Sequence, residues 1–317
     1  IFLKNGIITL GEALIDFIPM DENNEIYQKS PGGAPANVAV GVSRLGAKST
    51  FIGKVGNDRF GNFLKQTLQE NGVHPSLTFS DEYRTAIVFV ELDKNKERSF
   101  SFYIKQPADQ MLSEKDVDKN LFKDHKIFHF GTISLKSHLA KEATFRAIQY
   151  AKNENMIVSF DPNVRVSLWD DPEQLKTLIF QMLNKIDVLK ISEEELTFLT
   201  ESTSHDSIKS WMNEYNLSLV FLTRGENGSY VFTKNGADKV DAIQVSVEDT
   251  TGAGDGFVAE MLYQLNHLNK SLNELSLDDS INIGRFASVT GGLATTKKGA
   301  MSALPTLDEV QRYMKKM

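Results

Sequence analysis

The stretch VEDTTGAGDGF (residues 247–257) places three glycines and two aspartates directly before the helical pattern VAEMLYQL. Its small residues GAG (252–254) leave room for backbone N–H groups to approach a ligand closely. We expect a helix over residues 256–265, and the free N–H groups at a helix start stabilise negative charge. Asp255 is then either an N-cap that accepts a backbone N–H bond or a base beside an anion-binding loop, and the stretch alone favours the N-cap.

The rest of the chain alternates short apolar runs with amphipathic patterns. Such apolar, β-branched runs are typical of strands buried on both faces. Alternating strands and helices with right-handed crossovers predict an α/β fold, a doubly wound, mostly parallel sheet flanked by helices, with ligands at the carboxyl ends of the strands. The predicted strands are GIITLG (6–11), STFIG (49–53), KIFHFG (126–131), MIVSFD (156–161), DVLKIS (187–192) and LVFLTRG (219–225), and the predicted helices include residues 37–46, 60–72, 141–155 and 171–185.

Two segments interrupt this alternation, residues 13–31 and 85–104. The second predicts a β-hairpin, with two period-2 runs around the polar turn DKNKE (93–97). Neither segment offers a helix to cover a parallel sheet, so we expect the two to form a small β-sheet, either a lid over an active site or a surface hairpin. The main α/β domain then comprises residues 1–12, 32–84 and 105–317.

The composition excludes several classes of function. The 317 residues include no cysteine, which rules out a disulfide, a thiolate metal site and a cysteine nucleophile. The net charge of −7 argues against a nucleic-acid or anionic-membrane partner, although a local loop can still bind phosphate. No apolar run reaches the length of a membrane span and no signal-peptide pattern opens the sequence, so we expect a cytoplasmic protein.

Several common active-site signatures are missing. GAKST (46–50) is spaced wrongly for a P-loop, and GEALID (11–16) has one glycine where a dinucleotide-binding motif needs three. The sequence has no Gly-x-Ser-x-Gly nucleophile elbow. His125 and His129 lie four residues apart at a predicted strand, where that spacing forms no chelate, so we interpret both as structural.

A second candidate site is PGGAPANVAVGVSRLG (residues 31–46). We expect PGG (31–33) to form a turn, Pro35 to lie in the first turn of a helix, and Asn37 to follow it there. Paired glycines allow a ligand close to the backbone, and the Asn37 amide offers both a donor and an acceptor to a polyol. The alternative is an ordinary loop with Asn37 facing solvent.

Together, PGGAPANVAVGVSRLG and DTTGAGDGF resemble the two signatures of the ribokinase-like carbohydrate kinases, the phosphofructokinase-B family. The resemblance extends along nearly the whole chain through GEALIDF, GKVGNDRFG, SFDPNVRVSLW, KISEEELTFL, TRGENGSYVF and KKGAMSALPT. GEALIDF and DPNVRVSLW are most similar to the fructokinase branch.

The resemblance implies a catalytic role for the first stretch and replaces the N-cap interpretation. Asp255 would take the proton of a primary sugar hydroxyl as its oxygen attacks the γ-phosphorus of ATP. The backbone N–H groups of Gly252, Ala253 and Gly254 would form the anion hole.

The resemblance also implies substrate, nucleotide and cation sites. Phe100 or Phe102 would cover the sugar, although both also suit the core of the hairpin. Glu195 would support Mg²⁺ through water, and Asp249 with the Thr251 carbonyl would hold a monovalent cation, K⁺. The implied sugar ligands are Asp16, Gly32, Gly33, Asn37, Phe102 and Arg165, and the implied nucleotide ligands are Lys190, Glu195, Thr223, Gly225 and Gly228.

Three positions depart from the family pattern. Ser192 stands where ribokinases carry an asparagine, and Ser288 stands where related fructokinases often place an asparagine beside the adenine. Ile104 replaces an arginine of many relatives. Loss of that cation favours a neutral sugar over a keto acid, although Lys105 and Arg98 are nearby in sequence.

The resemblance therefore implies an ATP- and Mg²⁺-dependent kinase that converts D-fructose to fructose 6-phosphate. The alternatives are a 2-keto-3-deoxygluconate kinase, a ribose or nucleoside kinase, and a sugar-binding regulator without catalysis. The intact Asp255 and its GAG turn argue against the regulator. The hairpin either closes on the substrate within one chain or pairs with the hairpin of a second chain in a homodimer, since an uncovered sheet edge tends to be covered.

Overall fold

The computed structural model of the chain describes residues 4–93 and 98–317, and these form two sheets and nine α-helices. The strands are β1 (Ile7–Leu10), β2 (Leu14–Pro19), β3 (Tyr27–Gly32), β4 (Ser49–Gly56), β5 (His74–Ser80), β6 (Ile87–Leu92), β7 (Arg98–Phe102), β8 (Ile127–Phe130), β9 (Ile157–Phe160), β10 (Val188–Ser192), β11 (Leu219–Thr223), β12 (Ser229–Thr233) and β13 (Gly236–Val240). The helices are α1 (Ala34–Arg44), α2 (Arg59–Glu70), α3 (His138–Asn153), α4 (Pro172–Leu183), α5 (Glu193–Thr200), α6 (Asp206–Glu214), α7 (Ala253–His267), α8 (Leu277–Ala294) and α9 (Leu307–Met314).

The large sheet has nine strands in the order β13-β12-β11-β10-β9-β8-β1-β4-β5. Neighbouring strands from β5 to β11 are parallel, and β12 and β13 add an antiparallel edge. All six apolar runs of the sequence form strands here. The prediction of a doubly wound, mostly parallel α/β sheet is confirmed.

Helices cover both faces of this sheet because successive strand residues point to opposite sides. Ile8 of β1 joins the core beneath α3 to α6, whereas Ile7 joins the core beneath α1, α7 and α8. Both side chains are fully buried. Two apolar layers therefore fix the sheet, and the loops at the carboxyl ends of the strands are left to form a site.

The small sheet has four strands in the order β3-β2-β6-β7. Only the pair β2–β6 is parallel. The outer face of this sheet rests on α2, where the rings of Phe17 and Phe60 meet edge to face with centroids 6.0 Å apart. Most of the turn expected at residues 93–97 lies outside the described residues.

Two local predictions are wrong. The expected turn over residues 31–33 is the end of a strand, because Pro31 and Gly32 pair with Ile15 and Leu14. This strand, β3, is a sheet edge, where a proline costs no ladder hydrogen bond. The helix expected to start at residue 256 begins at Ala253, and its N-cap Gly252 has a left-handed conformation, φ 84°, which glycine adopts readily.

Within the described residues, no helix is both long and apolar enough to cross a bilayer.

Candidate active site

A cleft of about 410 Å³ lies between the carboxyl edge of the large sheet and the inner face of the small one. The large sheet contributes Asp161 directly after β9 and Lys190 within β10. The small sheet contributes Leu14, Val88 and Phe102, which share one face because their strands alternate. The predicted residues that line the cleft are Asp16, Gly33, Asn37, Phe100, Phe102, Arg165, Lys190, Thr251, Gly252, Gly254 and Asp255.

Asp255 lies in the first turn of α7, three residues after the cap Gly252. It is therefore not the N-cap. Its Oδ2 accepts a hydrogen bond of 2.8 Å from Nδ2 of Asn37, which α1 holds in a buried position. The alternative of a solvent-facing Asn37 is wrong. The two glycine-rich stretches thus meet at one buried carboxyl group.

The charge state of Asp255 reflects competing effects. Burial raises its pKa to about 6, and the nearby Asp161 carboxylate adds to this. The hydrogen bond from Asn37 and the cations of Lys190 and Arg165 act in the opposite direction. A pKa just below neutrality leaves Asp255 mostly ionised at pH 7 and still able to accept a proton, which suits a general base.

A buried ion pair lies beside Asp255. Nζ of Lys190 lies 3.1 Å from Oδ2 of Asp161, and both side chains are almost completely buried. Burial alone would lower the pKa of Lys190, but the Asp161 and Glu195 carboxylates raise it above its usual value. Lys190 therefore stays charged, and a Cβ built on Gly254 would lie 3.4 Å from its Nζ. The start of α7 and this ammonium group together provide a positive region in the cleft.

Asp16 lies on the cleft side of β2. Burial raises its pKa to about 7, although the Arg165 guanidinium opposes the shift. The backbone of Gly32 passes so close to the Asp16 carboxylate that any Cβ there would overlap it. Gly32 is thus a packing neighbour of Asp16 and does not itself line the cleft. Arg165 lies 5.8 Å from the centre of the Phe100 ring.

Ala253 is the one residue of the GAG turn outside the cleft. Its N–H donates to the carbonyl oxygen of Thr250 at 3.2 Å, whereas Gly252 and Gly254 line the cleft. The carboxylate of Asp249 accepts N–H bonds from Thr251 at 2.8 Å and Gly299 at 3.0 Å, which join two loops below the turn.

The remaining predicted nucleotide residues also lie outside the cleft. Glu195 is buried and accepts the N–H groups of Val164 at 2.7 Å and Ser192 at 2.9 Å. Burial raises its pKa against the attraction of Lys190. The TRGENG turn follows β11 at the same edge of the sheet, where the N–H of Arg224 donates to the Gly228 carbonyl oxygen at 2.8 Å. This turn contains Thr223, Gly225 and Gly228.

Comparison with known proteins places this arrangement in a family. The sequence matches the pfkB family of carbohydrate kinases over residues 4–307. The chain belongs to this family. The prediction of a ribokinase-like carbohydrate kinase is therefore confirmed, and so is its similarity to fructokinases.

The relatives of this carbohydrate kinase match it along nearly its whole length. "Probable fructokinase-5" of Arabidopsis thaliana is 41% identical over 318 residues, 98% of this chain and 97% of that protein. A fructokinase with bound ATP from Xylella fastidiosa has a TM-score of 0.93 and 33% identity, and covers 99% of both chains. A fructokinase double mutant from Vibrio cholerae O395, in its fructose-, ADP- and potassium-bound form, has a TM-score of 0.88 and 37% identity over 98% of this chain and 99% of that one.

Several polar residues of this carbohydrate kinase were not predicted from its sequence. Glu12 and Asp161 line the cleft, and Asp109 is buried close enough to raise the pKa of Glu12. Glu12 and Asp161 each follow the end of a buried strand, at the edge where α/β sheets bind ligands. An acidic residue directly after a predicted buried strand could therefore have indicated both Glu12 and Asp161. Asp109 follows the small sheet, and no local pattern distinguishes it.

Proposed function

We propose that this carbohydrate kinase transfers the γ-phosphoryl group of ATP to the 6-hydroxyl of D-fructose, with Asp255 as the base. The observation that carries the proposal is the position of the Asp255 carboxylate, buried at the start of α7 and held by Asn37 in a cleft large enough for a sugar. The fructokinase relatives support fructose, and the bound ATP, ADP and fructose of two of them support the reaction.

In the proposed step, the Asp255 carboxylate takes the proton of the primary hydroxyl. The hydroxyl oxygen forms a bond to the γ-phosphorus, and the bond from that phosphorus to the β,γ-bridging oxygen breaks, which releases ADP. The raised pKa of Asp255, about 6, makes it a better proton acceptor than an exposed aspartate while leaving it ionised at pH 7.

The negative charge of the transferring group requires stabilisation from fixed positive groups. The N–H groups of Gly252 and Gly254 at the start of α7 are the proposed donors, and Lys190 adds a buried positive charge. The N–H of Ala253 contributes less to anion binding than the sequence predicts, because it already donates to the Thr250 carbonyl oxygen.

A neutral sugar suits the other end of the cleft. Asp16 and Asn37 offer hydrogen-bonding groups for hydroxyls, and Phe102 offers an apolar face. We propose that residues 13–31 and 85–104 act as a lid, since a cover over this cleft would exclude water from the phosphoryl transfer. Pairing of two such lids in a homodimer stays a prediction.

The carboxylate oxygens of Asp161 and Glu195, which lie near Lys190, are suitable ligands for Mg²⁺ carried by the nucleotide. Within the described residues, no cluster of three or more acidic or histidine side chains could enclose a metal ion. Mg²⁺ needs no such cluster, since it keeps several waters and takes one or two carboxylates with the phosphates. Glu195 would hold it through water, and the ion would neutralise phosphate charge. We propose Asp249 and the Thr251 carbonyl as two ligands of a K⁺ ion, since both provide oxygen atoms and Asp249 is buried.

A sugar panel tests this proposal. ADP release with Mg²⁺ and ATP is measured for fructose, 2-keto-3-deoxygluconate and ribose. We expect the highest kcat/KM with fructose. Turnover of 2-keto-3-deoxygluconate or ribose without turnover of fructose would reject the assigned sugar, and binding without turnover of any sugar would favour the regulator.

A further inference from the structure

A small chamber adjoins the main cleft, and Asp255 lines both. Its volume is about 10 Å³, close to the space that one water molecule needs. The residues that line it include Glu12, His129, Asp161 and Asp255, together with apolar neighbours such as Val38 and Ile133. A space of this size beside several polar side chains can hold one hydrogen-bonded water.

Glu12 lines this chamber, and only one of its two carboxyl oxygens has a hydrogen-bond partner. The residue follows β1 and is almost fully buried. Its Oε1 accepts the N–H of Ala34, the first residue of α1, at 3.2 Å. Its Oε2 is buried and has no hydrogen-bond partner among the described residues. A buried carboxyl oxygen without a partner is costly, so a water molecule in the chamber would stabilise it.

The geometry points to Glu12 as a positioning residue for Asp255: as a neutral acid it donates its Oε2 proton to one water in the chamber, and that water donates to the Asp255 carboxylate. This inference rests on the proposed function, in which Asp255 is the base. A hydrogen bond to the ionised form stabilises it and fixes its orientation. Glu12 and Asn37 then hold the base from two sides.

The charges around Glu12 support its neutral form. Burial raises its pKa to about 8, and the Asp109 and Asp255 carboxylates add to the effect. Besides Glu12 and Asp255, the ionisable residues that line the chamber are His129 and Asp161. Burial lowers the pKa of His129 to about 3, so this ring is neutral, and Asp161 is paired with Lys190. An ionised Glu12 would place another negative charge beside Asp255, whereas a neutral one is a donor.

Two substitutions of Glu12 separate this role from the alternatives. E12Q keeps an oxygen for the Ala34 N–H and an N–H₂ donor for the water, so we expect a kcat with fructose close to that of wild type. E12M keeps the length but removes both bonds, and we expect kcat to fall by about 10- to 100-fold because the base loses its orientation. In E12M the acid limb of the kcat profile should also move to higher pH, since Asp255 loses a donor.

The alkaline side of the pH profile gives a second readout. In wild type, ionisation of Glu12 removes the donor, so kcat should fall above a pH of about 8. E12Q cannot ionise there and should keep its activity. Asn37, Asp161, Lys190 and Arg165, which also act on Asp255, are unchanged in both variants.

E260Q and E260M are matched controls. Glu260 is a fully buried glutamate between α7 and α8, bonded to Thr290 and Gln264. Substitution of Glu260 should alter thermal stability and leave the pH dependence of kcat unchanged.

The inference is overturned if E12Q loses as much kcat as E12M, or if E12M has the kcat of wild type. It is also overturned if the kcat of E12Q still falls above a pH of about 8. Should E12M fail to fold, the alkaline limb of E12Q decides alone. Absence of fructose turnover in wild type would instead reject the assigned substrate, and the same comparison is then made on the sugar that the panel identifies.

Discussion

Nδ2 of Asn37 donates a 2.8 Å hydrogen bond to Oδ2 of Asp255 across 218 residues of sequence. The bond joins the first helix of the chain to α7, and it connects the two glycine-rich stretches that define the family resemblance. A donor aimed at a buried carboxylate stabilises the ionised state, which burial alone would disfavour. Asn37 therefore helps keep Asp255 able to accept a proton.

The first prediction concerns this bond. N37A removes the donor, so the pKa of Asp255 should rise above its value of about 6. The acid limb of the kcat profile should shift to higher pH by the same amount. N266A is the control, since Asn266 is also buried but bonds to the N–H of Gly6 away from the cleft. An unshifted limb in N37A would argue against the proposed influence of Asn37.

The second prediction concerns the pH dependence of wild type. Only the ionised form of Asp255 accepts a proton, and its pKa is raised to about 6. We expect kcat to be near its maximum at pH 7 and to fall as pH decreases through about 6. The profile is measured at saturating fructose and ATP. A kcat that stays level down to pH 5 would be inconsistent with this carboxyl group as the base.

The third prediction links Asp16 to stability. Its folded pKa of about 7 exceeds the ordinary value of 3.8, so the native state binds more protons between these values. Stability from this group is therefore lost as pH rises through that window, by up to ~1.4 kcal/mol per pH unit. D16N removes the effect, and its Tm relative to wild type should increase from pH 4 to pH 7. A Tm difference that does not change with pH would contradict the assignment.

The fourth prediction concerns the aromatic wall. F102A removes an apolar face of the cleft and should raise KM for fructose about tenfold, the effect of losing a contact of ~1.5 kcal/mol, with little change in kcat. Y103A is the matched control, because Tyr103 is the next residue, is 73% exposed and does not line the cleft. Equal effects of the two substitutions would place Phe102 away from the sugar.

Local sequence patterns were sufficient for the fold class and for six of the nine strands described in the large sheet. Each of the six apolar runs forms a strand of the large sheet, because a strand buried on both faces must be apolar throughout. Boundaries were less predictable. Helix α7 begins three residues earlier than expected, directly after the left-handed Gly252. Pro31 lies in β3, an edge strand that tolerates proline.

The site was predictable only where a family signature covers it. Asp255 and Asn37 lie in such signatures, and the structure brings them into contact. The pairing of Lys190 with Asp161 and the burial of Glu12 beside Asp109 depend on contacts between distant segments. Periodicity carries no information about such contacts, since it describes only neighbours along one element.

The most direct test of Asp255 as the base is D255N, measured for both phosphoryl transfer and fructose binding. We expect kcat to fall by about 10²- to 10⁴-fold, because the base is lost, while the Kd for fructose changes little. D187N is the control, since Asp187 is also a partly buried aspartate of raised pKa but accepts the Val158 N–H at the opposite edge of the sheet. A D255N enzyme that transfers phosphate at the wild-type rate would contradict the assignment of Asp255 as the base.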